Sequence, residues 1–145
     1  MCVILDNNQV GDFVDEKEHL RGLWRALRTG KARLVHGGRL TQEYRRNNEF
    51  FRLLARFSAA GQARVLDHTE IERRTAALTR GGTLLSDDPH VIAVGQVGAA
   101  RLLVTADQNL IRDFTTKAHI DRPRGSVFQR SPDHDPLIAK CCKKL

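Results

Sequence analysis

Residues 84–110, LLSDDPHVIAVGQVGAARLLVTADQNL, join a helix signal directly to a strand signal. Asp88 stands immediately before Pro89, the order expected of an N-cap residue followed by proline at the first helical position. The predicted helix, PHVIAVGQVGAA, runs into the apolar segment RLLVTAD, which reads as a strand ending at Asp107. A helix feeding an apolar strand is half of a β-α-β unit. The chain's most hydrophobic segment therefore carries carboxylates at both ends.

The same alternation extends outward. CVILD is a short apolar strand ending at Asp6, and DEKEHLRGLWRALRTG has Leu20, Leu23, Trp24 and Leu27 at helical spacing with Gly30 as a stop. ARLVHGGRL reads as a second strand closed by a glycine turn. Thr41 is then expected to cap one long helix, QEYRRNNEFFRLLARFSAAG, with Leu40, Tyr44, Phe51, Leu54 and Ala55 on its apolar face. ARVLD reads as an edge strand before the helix HTEIERRTAALTRGG, which is expected to bury Ile71, Ala76 and Leu78 and to stop at Gly81-Gly82. NLIRDFTTKA reads as a short helix, GSVFQ as a last strand, and the remainder as a polar tail from about residue 131. Strands alternating with helices predict an α/β domain with a central, mostly parallel sheet.

A chain of 145 residues with 41% hydrophobic content suits one domain spanning 1–145. No apolar run approaches the roughly 20 residues of a membrane helix, and MCVILDNNQVGD lacks the features of a signal peptide. A cytoplasmic protein without membrane partners is expected. Cys2, Cys141 and Cys142 form an odd set, which predicts no disulfide framework: Cys2 packs in the core, the terminal pair is incidental, and C-x-x-C zinc spacing is absent. Lys and Arg number 24 against 17 Asp and Glu, a formal charge of +7 that suits a polyanion such as nucleic acid. Solvated helix faces would give similar basic runs. Few aromatics interleave with them, which argues against a platform that stacks single-stranded bases.

In parallel sheets, sites form at the carboxyl ends of strands near a topological switch point. Asp6 and Asp107 follow strands, and Glu43 and Asp88 are expected in the first turns of helices, so all four belong on one edge of the sheet. Each alone reads equally as a cap or first-turn residue, and for Asp88 alone that plain reading is the stronger. Together they would repel one another by several kcal/mol unless protons or cations offset the charge. Hard oxygen donors without His or Cys suit Mg²⁺ or Mn²⁺, and such an ion in a basic protein suggests phosphodiester hydrolysis.

In the order ILDNN, GGRLTQEYRR, SDDPHVIAVG and LLVTADQNLIRDF, with PRGSVFQ near the end, the chain resembles the PIN-domain nucleases, bacterial toxin-like ribonucleases among them. The resemblance implies a three-layer α/β/α fold and an acidic pocket that binds Mg²⁺ or Mn²⁺ and cleaves RNA. It also implies Asp6, Glu43, Asp88 and Asp107 as catalytic metal ligands or orienters of bound water. Asp87 is a fifth candidate, because relatives place the third acid at either of the two positions. Asn7 is a candidate for holding a water or phosphate, or is a plain turn residue. Thr105 is a candidate to hydrogen-bond a ligand, and Arg45 and Arg46 to reach phosphates. His90 is expected to be a supporting helix residue rather than a general base, and Asp113 to make a surface or local ion-pair contact.

Expected partners are RNA and, for a toxin, a cognate antitoxin protein. A homodimer is a further expectation, with Phe50, Phe51 and Phe57 as interface candidates against their plainer reading as core. The competing readings are a catalytically inactive PIN-like RNA-binding or scaffold module and a metal-dependent DNA nuclease. LDNNQ lacks the D-x-D of a haloacid-dehalogenase-type phosphatase and the early paired acids of a phosphotransfer receiver. No G-x-G-x-x-G follows the first strand, which excludes a nicotinamide-binding domain.

Overall fold

Strands β1 (Val3–Leu5), β2 (Leu34–His36) and β4 (Leu102–Val104) carry only buried side chains. Such runs belong to a parallel sheet covered by helices on both faces. The outer strands are β3 (Ala63–Val65), where Arg64 and Val65 are exposed, and β5 (Ser126–Phe128). The computed structural model, which describes residues 2–128 and 135–142, orders them β3-β2-β1-β4-β5 with every pair parallel. The fold is α/β in three layers. From β1 the chain fills one side of the sheet and then crosses to fill the other, so the switch point lies between the carboxyl ends of β1 and β4.

Eight helices flank the sheet among the described residues: α1 (Val10–Val14), α2 (Arg21–Arg28), α3 (Gly38–Tyr44), α4 (Asn48–Ala59), α5 (His68–Gly81), α6 (Pro89–Val97), α7 (Gln108–Thr115) and α8 (Asp135–Cys141). Helix α6 is buried from His90 to Gly95 and packs against β1, α3 and α5. An aromatic group fills the space beside α1, where Phe13 stacks on Trp24 at 4.4 Å and meets Phe50 and Phe57 edge-on. The Trp24 indole donates to the Phe13 carbonyl at 2.7 Å, so its one polar atom is paired within the core. No helix of the described residues is long and apolar enough to cross a membrane.

Several expectations need correction. The segment between β1 and the helical spacing of Leu20–Leu27, to which no element is assigned above, forms a 3-10 turn (Asn7–Gln9) and α1. The long helix expected after Thr41 is two helices, because the Asn47 side chain accepts from the Phe50 N–H at 3.0 Å and starts α4 afresh. Thr41 lies inside α3, and its hydroxyl bonds His36 Nδ1 at 2.7 Å. The break rotates the apolar face: Phe50, Leu54 and Phe57 are buried, whereas Phe51 is 37% exposed and Ala55 is exposed. Two of the three phenylalanines offered as a dimer face are thus core. On α5, Ile71 is buried as expected but Ala76 is exposed.

The expected polar tail contains α8, which packs on α2, β4 and β5 and buries Ile138. Residues 129–134 and 143–145 of that tail lie outside the described residues. Cys2 and Cys142, expected to be unpaired, form a disulfide with Cα atoms 5.3 Å apart. Packing of α8 on α2, β4 and β5 brings together thiols 140 positions apart. Cys141 is a free, half-buried thiol.

Candidate acidic active site

Asp6 leaves the carboxyl end of β1 with its own N–H still bonded to the Val104 carbonyl of β4 at 2.9 Å. Its carboxylate is only 5% exposed. One oxygen accepts from the Asn7 N–H at 2.8 Å and the other from the Thr105 hydroxyl at 2.6 Å. The Thr105 bond spans the switch point and fixes the carboxylate's plane. Asn8 fastens the same crevice, donating from Nδ2 to Thr105 Oγ1 at 3.2 Å and accepting from the Ala106 N–H at 3.3 Å.

Asp88 and Asp107 occupy N-cap positions but use them differently. Asp107 accepts from the Asn109 and Leu110 N–H groups at 2.9 and 3.2 Å, so part of its capacity caps α7. Asp88 makes no side-chain cap bond on α6. Its carboxylate stays uncommitted although its backbone starts the helix, and the cap reading that suited it best in sequence does not describe its side chain. The loop before it is held from below by Asp113, which is buried and accepts from the Leu85 and Ser86 N–H groups at 2.9 Å. Asp113 is therefore an interior anchor, not the surface contact expected, because backbone donors in the loop supply what an ion-pair partner would.

Glu43 sits in the last turn of α3 with Oε1 2.7 Å from Nε2 of the buried His90. His90 thus supports a carboxylate, as expected. Two contacts fix α3. The Tyr44 hydroxyl donates to the Leu5 carbonyl, one residue before Asp6. At its start Gly38 has φ +54°, and a Cβ there would lie 2.8 Å from Ile71 Cγ2, so only glycine lets α3 approach α5 this closely.

The charges of these acids reach one another. Burial pushes the Asp6 carboxyl above its ordinary value and the negative charges of Asp88 and Glu43 push further, against the hydrogen bonds from Thr105 and Asn7. Burial likewise raises Asp88, with Glu43 and Asp107 adding to it, while His90 and Arg39 oppose. The Tyr44 phenol is held well above its usual value by burial and then by Asp6 and Glu43, which keeps it a donor. Asp6, Glu43, Asp88 and Asp107 form one linked group of repelling anions at the switch point.

The other candidates fall elsewhere. Asp87 is exposed, and Asp88 rather than Asp87 is the neighbour whose charge Asp6 feels. Asn7 opens the 3-10 turn and contributes its backbone N–H. Arg45 lies over the Phe51 ring at 5.6 Å, and Arg46 lines a shallow groove with Asp15 and Glu49. The cation whose field reaches Asp88 is Arg39. Its place four residues before Glu43, on the same helical face, is the signal that would have found it. Nothing local marks Asn8, whose partners are 97 and 98 residues away.

Among the described residues no three His, Cys, Asp or Glu side chains form a ready-made metal cage. An all-oxygen, mutually repelling donor set fits a hard divalent ion that keeps most of its water and touches one or two carboxylates directly. Compared with known proteins, the chain matches no family model, no curated protein and no solved structure.

Proposed function

We propose that this protein is a PIN-type endoribonuclease that uses Mg²⁺ or Mn²⁺ to hydrolyse RNA phosphodiester bonds. The observation that carries the reading is the electrostatic linkage of four carboxylates across the switch point, with Asp6 and Asp88 both raised by burial first and by their acidic neighbours in addition. Anions held together in this way are relieved by a cation. When bound, the ion supplies an activated water and stabilises the leaving oxygen. Asp6, Glu43, Asp88 and Asp107 hold or orient it; Thr105 sets the plane of Asp6 and His90 that of Glu43. Arg39 and the chain's surplus of Lys and Arg attract the phosphate backbone.

A cytoplasmic toxin, neutralised by an antitoxin protein seated across the acids, is the biological role that goes with this reading, and homodimerisation belongs to the same proposal. The chain's surplus of Lys and Arg suits equally a second reading, an inactive RNA-binding or scaffold module. Incubating a mixed structured and single-stranded RNA pool, and a matched DNA pool, with Mn²⁺, Mg²⁺ or EDTA separates them. Metal-dependent RNA cutting by the wild type, lost in Asp6→Asn and in Asp107→Asn, is expected. RNA binding without cutting in either metal would replace the nuclease with the module, and cutting of DNA alone would make it a DNA nuclease.

A further inference from the structure

Beside the acidic edge, between the β1 and β4 loops and α7, lies a cavity of about 310 Å³. Thr105 is part of its wall, and the Thr105 hydroxyl is also the donor to Asp6, so cavity and acids share one residue. Its size is at the lower end of small-ligand sites, room for one flat ring rather than a row of them. Ile111 and Phe128 contribute apolar surface, and Gln9, His19 and Gln108 contribute neutral polar groups and an imidazole.

Among the described residues no Lys or Arg lines the cavity, and none of them offers a phosphate a cation there. The polar groups suit a different part of a nucleotide. Gln9 is 5% exposed, with its amide carbonyl 3.1 Å from His19 Nε2 and its Nε2 donating to the Asn8 carbonyl at 3.4 Å. A primary amide has two N–H donors and two carbonyl lone pairs, so these bonds fix its plane and leave one donor and one acceptor. A fixed donor beside a fixed acceptor is the pattern with which Gln reads a base edge, and apolar walls accept its faces.

Resting on the nuclease reading above, we propose that this cavity binds one unpaired nucleobase, the one flanking the phosphate held at the acids, and so sets a base preference at one position of single-stranded RNA. The ribose-phosphate then passes over Thr105 towards Asp6. A duplex is disfavoured because a paired base cannot leave its stack to enter. The expected few-base specificity does not need the stacking platform that the aromatic-poor basic runs lack.

The test uses the full chain. The side-chain amide signals of Gln9 and Gln108 are followed by nuclear magnetic resonance in metal-free protein titrated with AMP, CMP, GMP and UMP, and cut-site bases are counted in a randomised single-stranded RNA with Mn²⁺. One or two monophosphates are expected to move both signals, and the wild type to favour the same base at one position beside the cut. Gln9→Leu removes the buried amide; the exposed Gln108→Ala guards against misfolding, and Ile111→Trp fills the space. The two glutamine variants are each expected to weaken monophosphate binding by about tenfold, as for one lost hydrogen bond, Ile111→Trp to weaken it by excluding the base, and all three to erase the base preference. Unmoved amide signals with all four monophosphates, or an unchanged preference in Gln108→Ala and Ile111→Trp, would overturn the proposal while leaving the nuclease standing. Selective amide shifts in a protein that cuts no RNA would sink the nuclease reading and support the cavity's assignment.

Discussion

His36 and Asp6 end neighbouring strands, and burial acts on them with opposite signs. Burial lowers the His36 imidazole to about 4, and its Nε2 has no hydrogen-bond partner among the described residues, so the ring is held neutral. A folded value below the unfolded 6.5 means that this group's stabilisation is complete above pH 6.5 and is lost as pH falls from there through 4. The drop amounts to about 3 kcal/mol at 1.36 kcal/mol for each pH unit of displacement. Asp6 and Asp88 are displaced upward, so their contribution favours the fold at low pH and fades as pH rises through their raised native values. Urea denaturation of wild type and His36→Asn at pH 7 and pH 4 isolates the histidine: the gap between the two proteins is expected to shift by about 3 kcal/mol in the variant's favour at pH 4. An unchanged gap would mean that the ring titrates as if exposed. At this scale the acids were legible because they follow apolar runs. Asn8, Arg39 and Asp113 were not, because their roles depend on atoms that only the folded chain brings near.

Elements were legible where one strong signal acted alone. VIL and LLV read as buried strands, and the Gly81-Gly82 stop expected of α5 is met by Gly82 at φ +65°, whereas Asp67, read as the end of a strand, caps that helix through the Glu70 N–H at 2.8 Å. The division between α3 and α4 was hidden because Arg45, Arg46 and Asn47 include neither Gly nor Pro, and only the Asn47 side-chain bond reveals it. Helix α8 was hidden by its polar surroundings, since it fully buries Ile138, with Cys142 just beyond it, and only partly buries Leu137 and Cys141. The disulfide makes that weak apolar anchor sufficient by tying α8 to the residue before β1. Closing a loop of 140 residues restricts the unfolded chain strongly. Cys142→Ser is expected to lower unfolding stability by about 2–4 kcal/mol under non-reducing conditions, and dithiothreitol to lower the wild type to the variant's level. A variant as stable as the oxidised wild type would mean that α8 holds by packing alone.

The whole molecule sets a basic surface around an acidic crevice. The chain carries a formal charge of +7, yet the switch point between β1 and β4 gathers four carboxylates, two of them displaced upward by burial and further by the others' charge. A sheet order that reverses beside β1 produces the crevice, and the Thr105 and Asn8 bonds across it keep it from opening. The alternation of strands and helices made that edge legible in the sequence. The cavity beside Thr105 was not, because its walls come from segments 9–19, 105–111 and 128. The central claim is that the four acids act together as a cation site, and thermal unfolding at pH 7 with and without Mn²⁺ addresses it without requiring a substrate. At a free ion concentration 100 times the dissociation constant, wild type is expected to gain about 2.7 kcal/mol, roughly 8 °C for a chain of this size. Asp6→Asn is expected to match or exceed the metal-free wild type and to lose that response. A melting temperature that ignores Mn²⁺, or a gain that survives intact in Asp6→Asn, would contradict the account.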